Sequence, residues 1–382
     1  MVFFFGTAMT VLPDTPIRIL VIKSRHIGDV LLTGPLLSTL RQWYPECRIS
    51  VLVKEETAPM LEGHPDVHEV IRFQQRTTGE SWQAFLTRQW HWWRELRRRR
   101  FDWVINTTEG DRGIIAGFLS GAHRRTGLLK PGKGHWWRKR LLTEAVARRS
   151  GLRHAVMHNL DMLGWHDETL RPDTRVRIAF DAQDEGVVTR TLTALGWDGE
   201  QPLAHVHPVA RWRFKCWTDA GMAQAIDYLQ AKGFAVGITA SPDPAEMAKV
   251  QAILALCQTR PLDLSGRFTL KQAAAFAARC RLFLGVDTAM MHVAAALDVP
   301  VVAIFGPSMA YEWGPWPNGW QGEGATPYPK IRGFQQCGPH RVIQKNWPCV
   351  PCGRDGCGGS KVSNCLTRLE WRELRSVLDS LS

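Results

Sequence analysis

Acidic residues are the scarce charge in this chain of 382 residues: 36 Asp and Glu stand against 48 Lys and Arg, a formal charge of +12. That deficit favours an anionic partner, whether nucleotide, phosphorylated glycolipid, nucleic acid or membrane surface, and does not choose among them. Long apolar runs are missing as well. The run Phe3 to Leu12 is shorter than the roughly 20 residues a membrane span needs, and it lacks the basic start and small-residue cleavage site of a signal peptide. The sequence therefore reads as cytoplasmic, with Met9 ahead of a domain start and the first eight residues a flexible extension or a mis-set start. No short internal repeat is present. An apolar fraction of 45% with 22% charged residues argues against full disorder, a collagen and a disulfide mini-protein, and the length suggests two or three domains at roughly 100–200 residues each.

Strand-like and helix-like stretches alternate. Residues 17–23 form a β-branched run that ends before Gly28, and apolar positions at Val30, Leu31, Leu36, Leu37 and Leu40 then follow a helical spacing. Further strands are expected at Arg48 to Val53, Val67 to Ile71 and Trp103 to Asn106. The rhythm restarts after about residue 200, with strands at Leu203 to His207, Phe234 to Thr239, Leu282 to Val286 and Val301 to Phe305. This pattern predicts an α/β chain of two doubly wound domains, each with a parallel sheet covered on both faces. The Pro-containing stretch Arg171 to Thr174 reads as the linker, which divides the chain into 1–172 and 173–382. A last helix, about Leu366 to Leu381, is expected to pack back across the first domain. Two such domains in tandem leave a cleft between the carboxyl ends of their sheets, where α/β proteins bind ligands.

Three constellations sit at those strand ends. The first is His26-Ile27-Gly28-Asp29, followed by Thr33-Gly34-Pro35. A glycine lets backbone approach a ligand, and an acid in the crevice can take a proton from a hydroxyl; alternatively Asp29 only caps its helix. No G-x-G-x-x-G and no Walker A lysine follows this strand, so neither dinucleotide nor P-loop chemistry is supported. The second is the loop His207 to Trp217, whose Arg211, Arg213 and Lys215 can meet a diphosphate ahead of a helix starting near Thr218. A solvated basic loop is its plainer explanation. In the third, Gly285 to His292 is followed by Phe305-Gly306-Pro307-Ser308. Asp287 can accept hydrogen bonds from sugar hydroxyls, and Thr288 with nearby helix amides suits phosphate oxygens. A capping Asp287 and a satisfied helix His292 are the alternatives.

These segments resemble the ADP-heptose:lipopolysaccharide heptosyltransferases, glycosyltransferase family 9. Arg18 to Lys23 with His26 to Thr33 is similar to that family's opening motif, and Asp287-Thr288-Ala289-Met290-Met291-His292 with Phe305-Gly306-Pro307 to its donor motif. The closing stretch Asn346 to Cys352, through Asn364-Cys365, is most similar to the heptosyltransferase III branch. The resemblance implies a GT-B fold, with an N-terminal acceptor domain and a C-terminal nucleotide-sugar domain. It also implies inverting, metal-independent transfer from ADP-L-glycero-β-D-manno-heptose to a heptose of the lipid-linked inner core. By the match of motifs Asp29 is the expected base, Lys215 neutralises the diphosphate with Arg211 or Arg213 sharing the role, and Asp287 holds the donor heptose. Thr288, His292 and Gly306 fall in the donor site, and His26 and Gly28 face the acceptor. Heptosyltransferase I or II, a related enzyme with another nucleotide sugar, and an epimerase on the same plan are the enzyme alternatives.

The stretch 88–100 joins dense positive charge to Trp side chains. It suits anionic headgroups or the phosphates of a lipid A–core acceptor, with Arg97 and Arg98 as candidate contacts; a solvated helix face with its Trp residues turned into the core is the alternative. His135 to Arg140 repeats the composition. Interleaved aromatic and basic residues also suit single-stranded nucleic acid, but no RRM, KH or zinc-finger pattern is present, and such a module leaves the donor motif unexplained, so no nucleic acid is expected.

Of nine cysteines, Cys47, Cys216, Cys257 and Cys280 are isolated. Cys337, Cys349, Cys352, Cys357 and Cys365 crowd near the end. In a cytoplasmic chain this points away from a disulfide framework. Cys349, Cys352, Cys357 and Cys365 offer four thiolates to a structural zinc ion; reduced cysteines in a Gly-rich loop, or oxidation after lysis, are the alternatives. No catalytic part is assigned to them.

Overall fold

The computed structural model describes residues 17–73, 79–129, 136–164 and 171–381. The run Phe3 to Leu12, Met9 and His135 lie outside the described residues.

The first sheet has six parallel strands: β1 (Arg18–Ile22), β2 (Arg48–Lys54), β3 (Glu69–Phe73), β4 (Trp103–Asn106), β5 (Arg124–Leu129) and β6 (Glu144–Ala147), in the order β3-β2-β1-β4-β5-β6. After β1 come α1 (Ile27–Leu31) and α2 (Gly34–Trp43). α3 (Trp82–Arg98), α4 (Asp111–Leu119) and α5 (Trp136–Leu141) each precede the next strand, and α6 (Ala155–Leu160) follows β6. Burial explains the central strand: Ile19, Leu20, Val21 and Ile22 are all enclosed, so β1 needs apolar residues on both faces. Its two faces feed separate cores. Ile19 and Val21 join the cluster shared with α1, α2 and α6, while Leu20 and Ile22 meet Leu96 of α3 and Ala116 of α4.

The chain then runs through α7 (Ala182–Ala194) into a seven-stranded sheet of β7 (Leu203–His207), β8 (Ala235–Ile238), β9 (Leu262–Asp263), β10 (Cys280–Val286), β11 (Val301–Phe305), β12 (Gln335–Cys337) and β13 (His340–Gln344). Its order is β12-β13-β11-β10-β7-β8-β9. All pairs are parallel except the closing hairpin β12–β13. The helices are α8 (Asp219–Ala231), α9 (Pro244–Leu254), α10 (Leu270–Ala278), α11 (Ala289–Ala296), α12 (Ala310–Trp313), α13 (Asn364–Thr367) and α14 (Trp371–Asp379). Two doubly wound α/β units are thus present, and the crossovers put loops at the carboxyl ends of both sheets.

The segment between the sheets is extended and pinned to both. Trp316 Nε1 donates to the Thr174 carbonyl at 2.8 Å and the Val176 amide to Asn318 at 2.7 Å, while Arg177 donates to Ser38 at 2.8 Å. Two expectations need correction. The last helix is broken, with α13 and α14 separated at Arg368 to Glu370. And α14 packs on α8 and β13 of its own unit rather than crossing to the first, because its apolar face of Leu374, Val377 and Leu378 shares a core with Ile226 and Leu229. No helix among the described residues is long and apolar enough to cross a membrane.

Candidate active site

A cavity of about 1070 Å³ opens between the carboxyl ends of the two sheets. The first unit contributes Arg25, His26, Gly28 and Asp29; the second contributes Arg211, Lys215, Asp287, Thr288 and His292. Residues some 250 positions apart in sequence therefore border one space.

On the first wall, β1 ends at Ile22 and α1 begins at Ile27, so the intervening turn delivers Asp29 to the first turn of a helix. The chain's helix-capping alternative fits poorly, because Asp29 lies inside α1 and makes no cap. Its carboxylate lies 4.0 Å from the Lys23 ammonium, which donates to Asn159 Oδ1 at 3.1 Å. Asn159 in turn donates to the Leu32 carbonyl at 2.9 Å, so α6 fixes the lysine. Burial lowers the Lys23 pKa, with the Asp29 charge opposing it.

Around this pair runs a wider set of charges. Arg148 lies 3.4 Å from Glu109 of the first unit and bonds Glu312 of α12 in the second. Arg25 lies 3.8 Å from Glu109. Burial raises the Glu312 pKa, and the Arg148 guanidinium counters it. The Arg148–Glu312 pair ties the two units together beside Asp29.

On the second wall, Lys215 Nζ lies 2.6 Å from Asp287 Oδ2, and the aspartate side chain is 7% exposed. Burial pushes the Asp287 carboxyl up, but the Lys215 ammonium and its hydrogen bond, with Ser308 and His292, outweigh that and hold it below the usual carboxylate value. His292 of α11 lies within the field of both Asp287 and Asp29, yet burial depresses its pKa to about 4, so the imidazole is neutral at pH 7. Thr288 Oγ1 and His292 Nδ1 are buried with no hydrogen-bond partner among the described residues. Orphan polar atoms on a cavity wall are groups that a bound ligand can satisfy.

The walls touch at Gly28. A Cβ built there would stand 2.9 Å from His292 Cδ2, closer than atoms pack, so a residue without a side chain is required where the units meet.

Some expected site residues lie elsewhere. Gly306 is not on the cavity wall; Pro307 and Ser308 are, and Gly306 is small because a side chain would meet Leu366 Cδ1 at 2.5 Å. Arg213 is also off the wall, whereas Arg211 borders it. Arg97 and Arg98 are exposed far from the cleft. The reason is direction: α3 runs back from the carboxyl edge, and at its end the Arg99 carbonyl accepts from Arg18, which starts β1. The sequence reading missed Lys23, Asn159, Glu109, Arg148 and Glu312, whose partnerships span up to 164 residues.

The zinc expectation for Cys349, Cys352, Cys357 and Cys365 is not supported. Cys357, Cys352 and Cys349 lie near enough to Cys365 to add to the burial that pushes its thiol up to about 11. Among the described residues, however, no three His, Cys, Asp or Glu side chains are placed to share a metal ion. The loop is closed by backbone amides instead: the Cys357 amide donates to the Val362 carbonyl at 2.7 Å and the Asn364 amide to the Cys357 side-chain Sγ at 3.4 Å, with Gly356 at φ 101°.

Residues 89–332 match the family model of glycosyltransferase family 9 (heptosyltransferase). The chain is 30% identical over 299 residues to lipopolysaccharide heptosyltransferase 3 of Escherichia coli, covering 77% of this chain and 85% of that protein. Among solved structures it is similar to E. coli ADP-heptose lps heptosyltransferase II, with a TM-score of 0.70 at 21% identity, covering 96% of this chain and 98% of the other. It is also similar to E. coli heptosyltransferase WaaC with ADP, with a TM-score of 0.65 at 17% identity, covering 96% and 100%. These likenesses show the fold of this chain, GT-B, with two doubly wound units facing a cleft.

Proposed function

The chain belongs to glycosyltransferase family 9, the heptosyltransferases of lipopolysaccharide core assembly, and we propose that it moves heptose from ADP-L-glycero-β-D-manno-heptose to a heptose of the inner core, in the manner of heptosyltransferase III. The reading rests on one observation: a carboxylate from the first unit and a lysine–aspartate pair from the second border a single cavity.

The transfer divides between the walls. Asp29 takes the proton from the acceptor hydroxyl, whose oxygen forms the new bond to the anomeric carbon from the face opposite ADP. The bond from that carbon to the phosphate oxygen breaks with its electron pair going to ADP, and the sugar inverts. A single base is what this needs from the acceptor side. Positive charge is what it needs on the leaving-group side, and Lys215, Arg211 and the amides at the start of α11 supply it without a metal. Lys215 is held by Asp287; on donor binding it turns or shares its protons toward the diphosphate, and Asp287 is released to accept from heptose hydroxyls. Thr288 and His292 offer their unpartnered atoms to the donor. Leu264, Phe268 and Leu270 make an apolar end to the cavity that suits a nucleobase.

The first unit binds the acceptor and the second the donor. His26 and Gly28 face the acceptor, and a second hollow of about 550 Å³ beside them, bordered by Lys54, Glu109 and Arg112, gives it room. An acceptor of this kind is lipid-linked, so the protein works peripherally at the cytoplasmic face of an inner membrane.

The test is purified protein with ADP-heptose and a set of defined truncated core acceptors, read by mass spectrometry. One added heptose on the acceptor that lacks only the side-branch heptose is expected. Transfer to a core lacking the first or second heptose instead, or transfer of another sugar only, overturns the assignment.

A further inference from the structure

α3 and α4 cover the face of the first sheet opposite the one that α1, α2 and α6 pack on, and α5 lies against α4 and β5. Of the eleven exposed large apolar side chains among the described residues, six belong to these three helices: Trp82, Leu86, Trp90, Ile115, Phe118 and Trp136. Soluble proteins scatter such residues singly, and gathering them on one layer marks a surface that meets something else.

The apolar residues of α3 run along one side of the helix. Trp92, Trp93 and Leu96 turn into the core, where Trp92 meets Phe73 at 5.6 Å between ring centroids. Trp82, Leu86 and Trp90, spaced four apart, precede them along that side and its flank, yet each is 60–64% exposed, so the first turns of α3 carry the apolar stripe past the core it packs on.

Charge identifies what these exposed side chains meet. These three helices carry an excess of six positive charges, half of the chain's +12. Arg94, Arg97, Arg112, Lys139 and Arg140 make no ion pair among the described residues. Tryptophan and leucine flanked by unpaired arginine and lysine is the composition that seats in the headgroup boundary of an anionic bilayer.

Position adds a second argument. Phe73 is the last residue of β3 and meets Trp92 in the third turn of α3, so the turns carrying Trp82 and Leu86 reach past the strand ends, by about 1.5 Å per residue, and Trp90 stands at their base. Trp136 starts α5 at the same edge. That edge holds the 550 Å³ hollow bordered by Phe73 and Arg112, which shares Arg25 and His26 with the larger cavity.

We propose that the Trp82–Leu86–Trp90 stripe with Trp136 docks flat on an anionic lipid surface, with the arginines of α3 and α5 on the headgroups and the mouth of the hollow turned toward the membrane. The proposal builds on the acceptor reading above, but vesicle binding itself needs no transfer. The experiment is co-sedimentation of the full chain with vesicles of phosphatidylethanolamine and phosphatidylglycerol, against vesicles of phosphatidylcholine alone. Wild-type protein is expected to prefer the anionic vesicles and to release at high salt. The Trp82→Ser, Leu86→Ser, Trp90→Ser triple variant loses at least about tenfold in partitioning, while its thermal shift with ADP is unchanged, which shows it folded. An Ile331→Ser, Phe334→Ser variant, exposed on the other unit, partitions like wild type. The proposal is overturned if the triple variant partitions normally, if wild type shows no anionic preference, or if light scattering shows that the stripe holds a dimer which the triple variant dissolves. Vesicle binding through the stripe without any heptose transfer leaves this proposal standing and removes the functional one.

Discussion

On the second wall of the cleft Lys215 and Asp287 lie 2.6 Å apart with the aspartate enclosed, whereas on the first wall Asp29 lies 4.0 Å from Lys23 and its side chain keeps 17% of its exposure. The closed pair is set before a donor arrives and needs only a local exchange of partners. The looser pair leaves a carboxylate lone pair facing the cavity, which is what a base must have to meet an incoming hydroxyl. On the proposed assignment, preorganisation belongs to the side that stabilises the leaving group, and accessibility to the side that receives the acceptor.

The comparison can be broken in order of expected effect. Asp29→Asn keeps the shape of the first wall and removes the base, so kcat in the transfer assay is expected to fall by about 10³-fold; a loss under tenfold removes Asp29 from the mechanism. Lys215→Met leaves Asp287 enclosed without its partner. It is expected to lower unfolding stability by about 2–3 kcal/mol, scaled down because the lysine is a quarter exposed, and donor affinity falls with it. Denaturant unfolding that matches wild type would show that the pair is not what holds the second wall.

Gly28→Ala tests the seam where the walls meet. The added methyl faces His292 Cδ2 at 2.9 Å and is expected to cost about 1–3 kcal/mol. Adding His292→Ala removes the clash, so the double variant should be more stable than the sum of the two single effects. Simple additivity would mean the units do not meet there.

The burial of the histidines is tested by pH. His64, His158, His207, His292 and His340 are depressed to about 4 and His154 to about 3, all chiefly by burial. The unfolded chain takes up these protons near pH 6.5 and the folded chain only near 4, so the unfolded state binds more protons in between and stability falls as pH falls through that window. Melting temperature is expected to be level from pH 8 to 7 and to drop progressively from 6.5 toward 4. A flat profile across that range would contradict the burial of these rings.

Much of this architecture is legible in the residues. β4, β7 and β11 fall where β-branched and aromatic runs put them, and Asp29, Lys215 and Asp287, which the fold brings to one cavity, were picked out by looking just after strands, where parallel sheets present their loops. β5 and β6 were missed because Arg-Arg-Thr-Gly-Leu-Leu and Glu-Ala-Val-Ala are short, partly polar strands toward an open edge, where one-sided burial weakens the apolar signal. The Arg148–Glu312 tie was invisible for another reason: neither residue sits in a motif, and only the fold brings them together. Arg97 and Arg98 were misplaced because composition carries no information on which end of a helix faces the cleft.

The division of labour between the walls is tested most directly by the affinity of ADP-heptose for two variants, measured by calorimetry without acceptor. Asp29→Asn should bind the donor within about twofold of wild type while Lys215→Met binds at least about tenfold more weakly. Equal losses in both, or a loss confined to Asp29→Asn, would contradict the account.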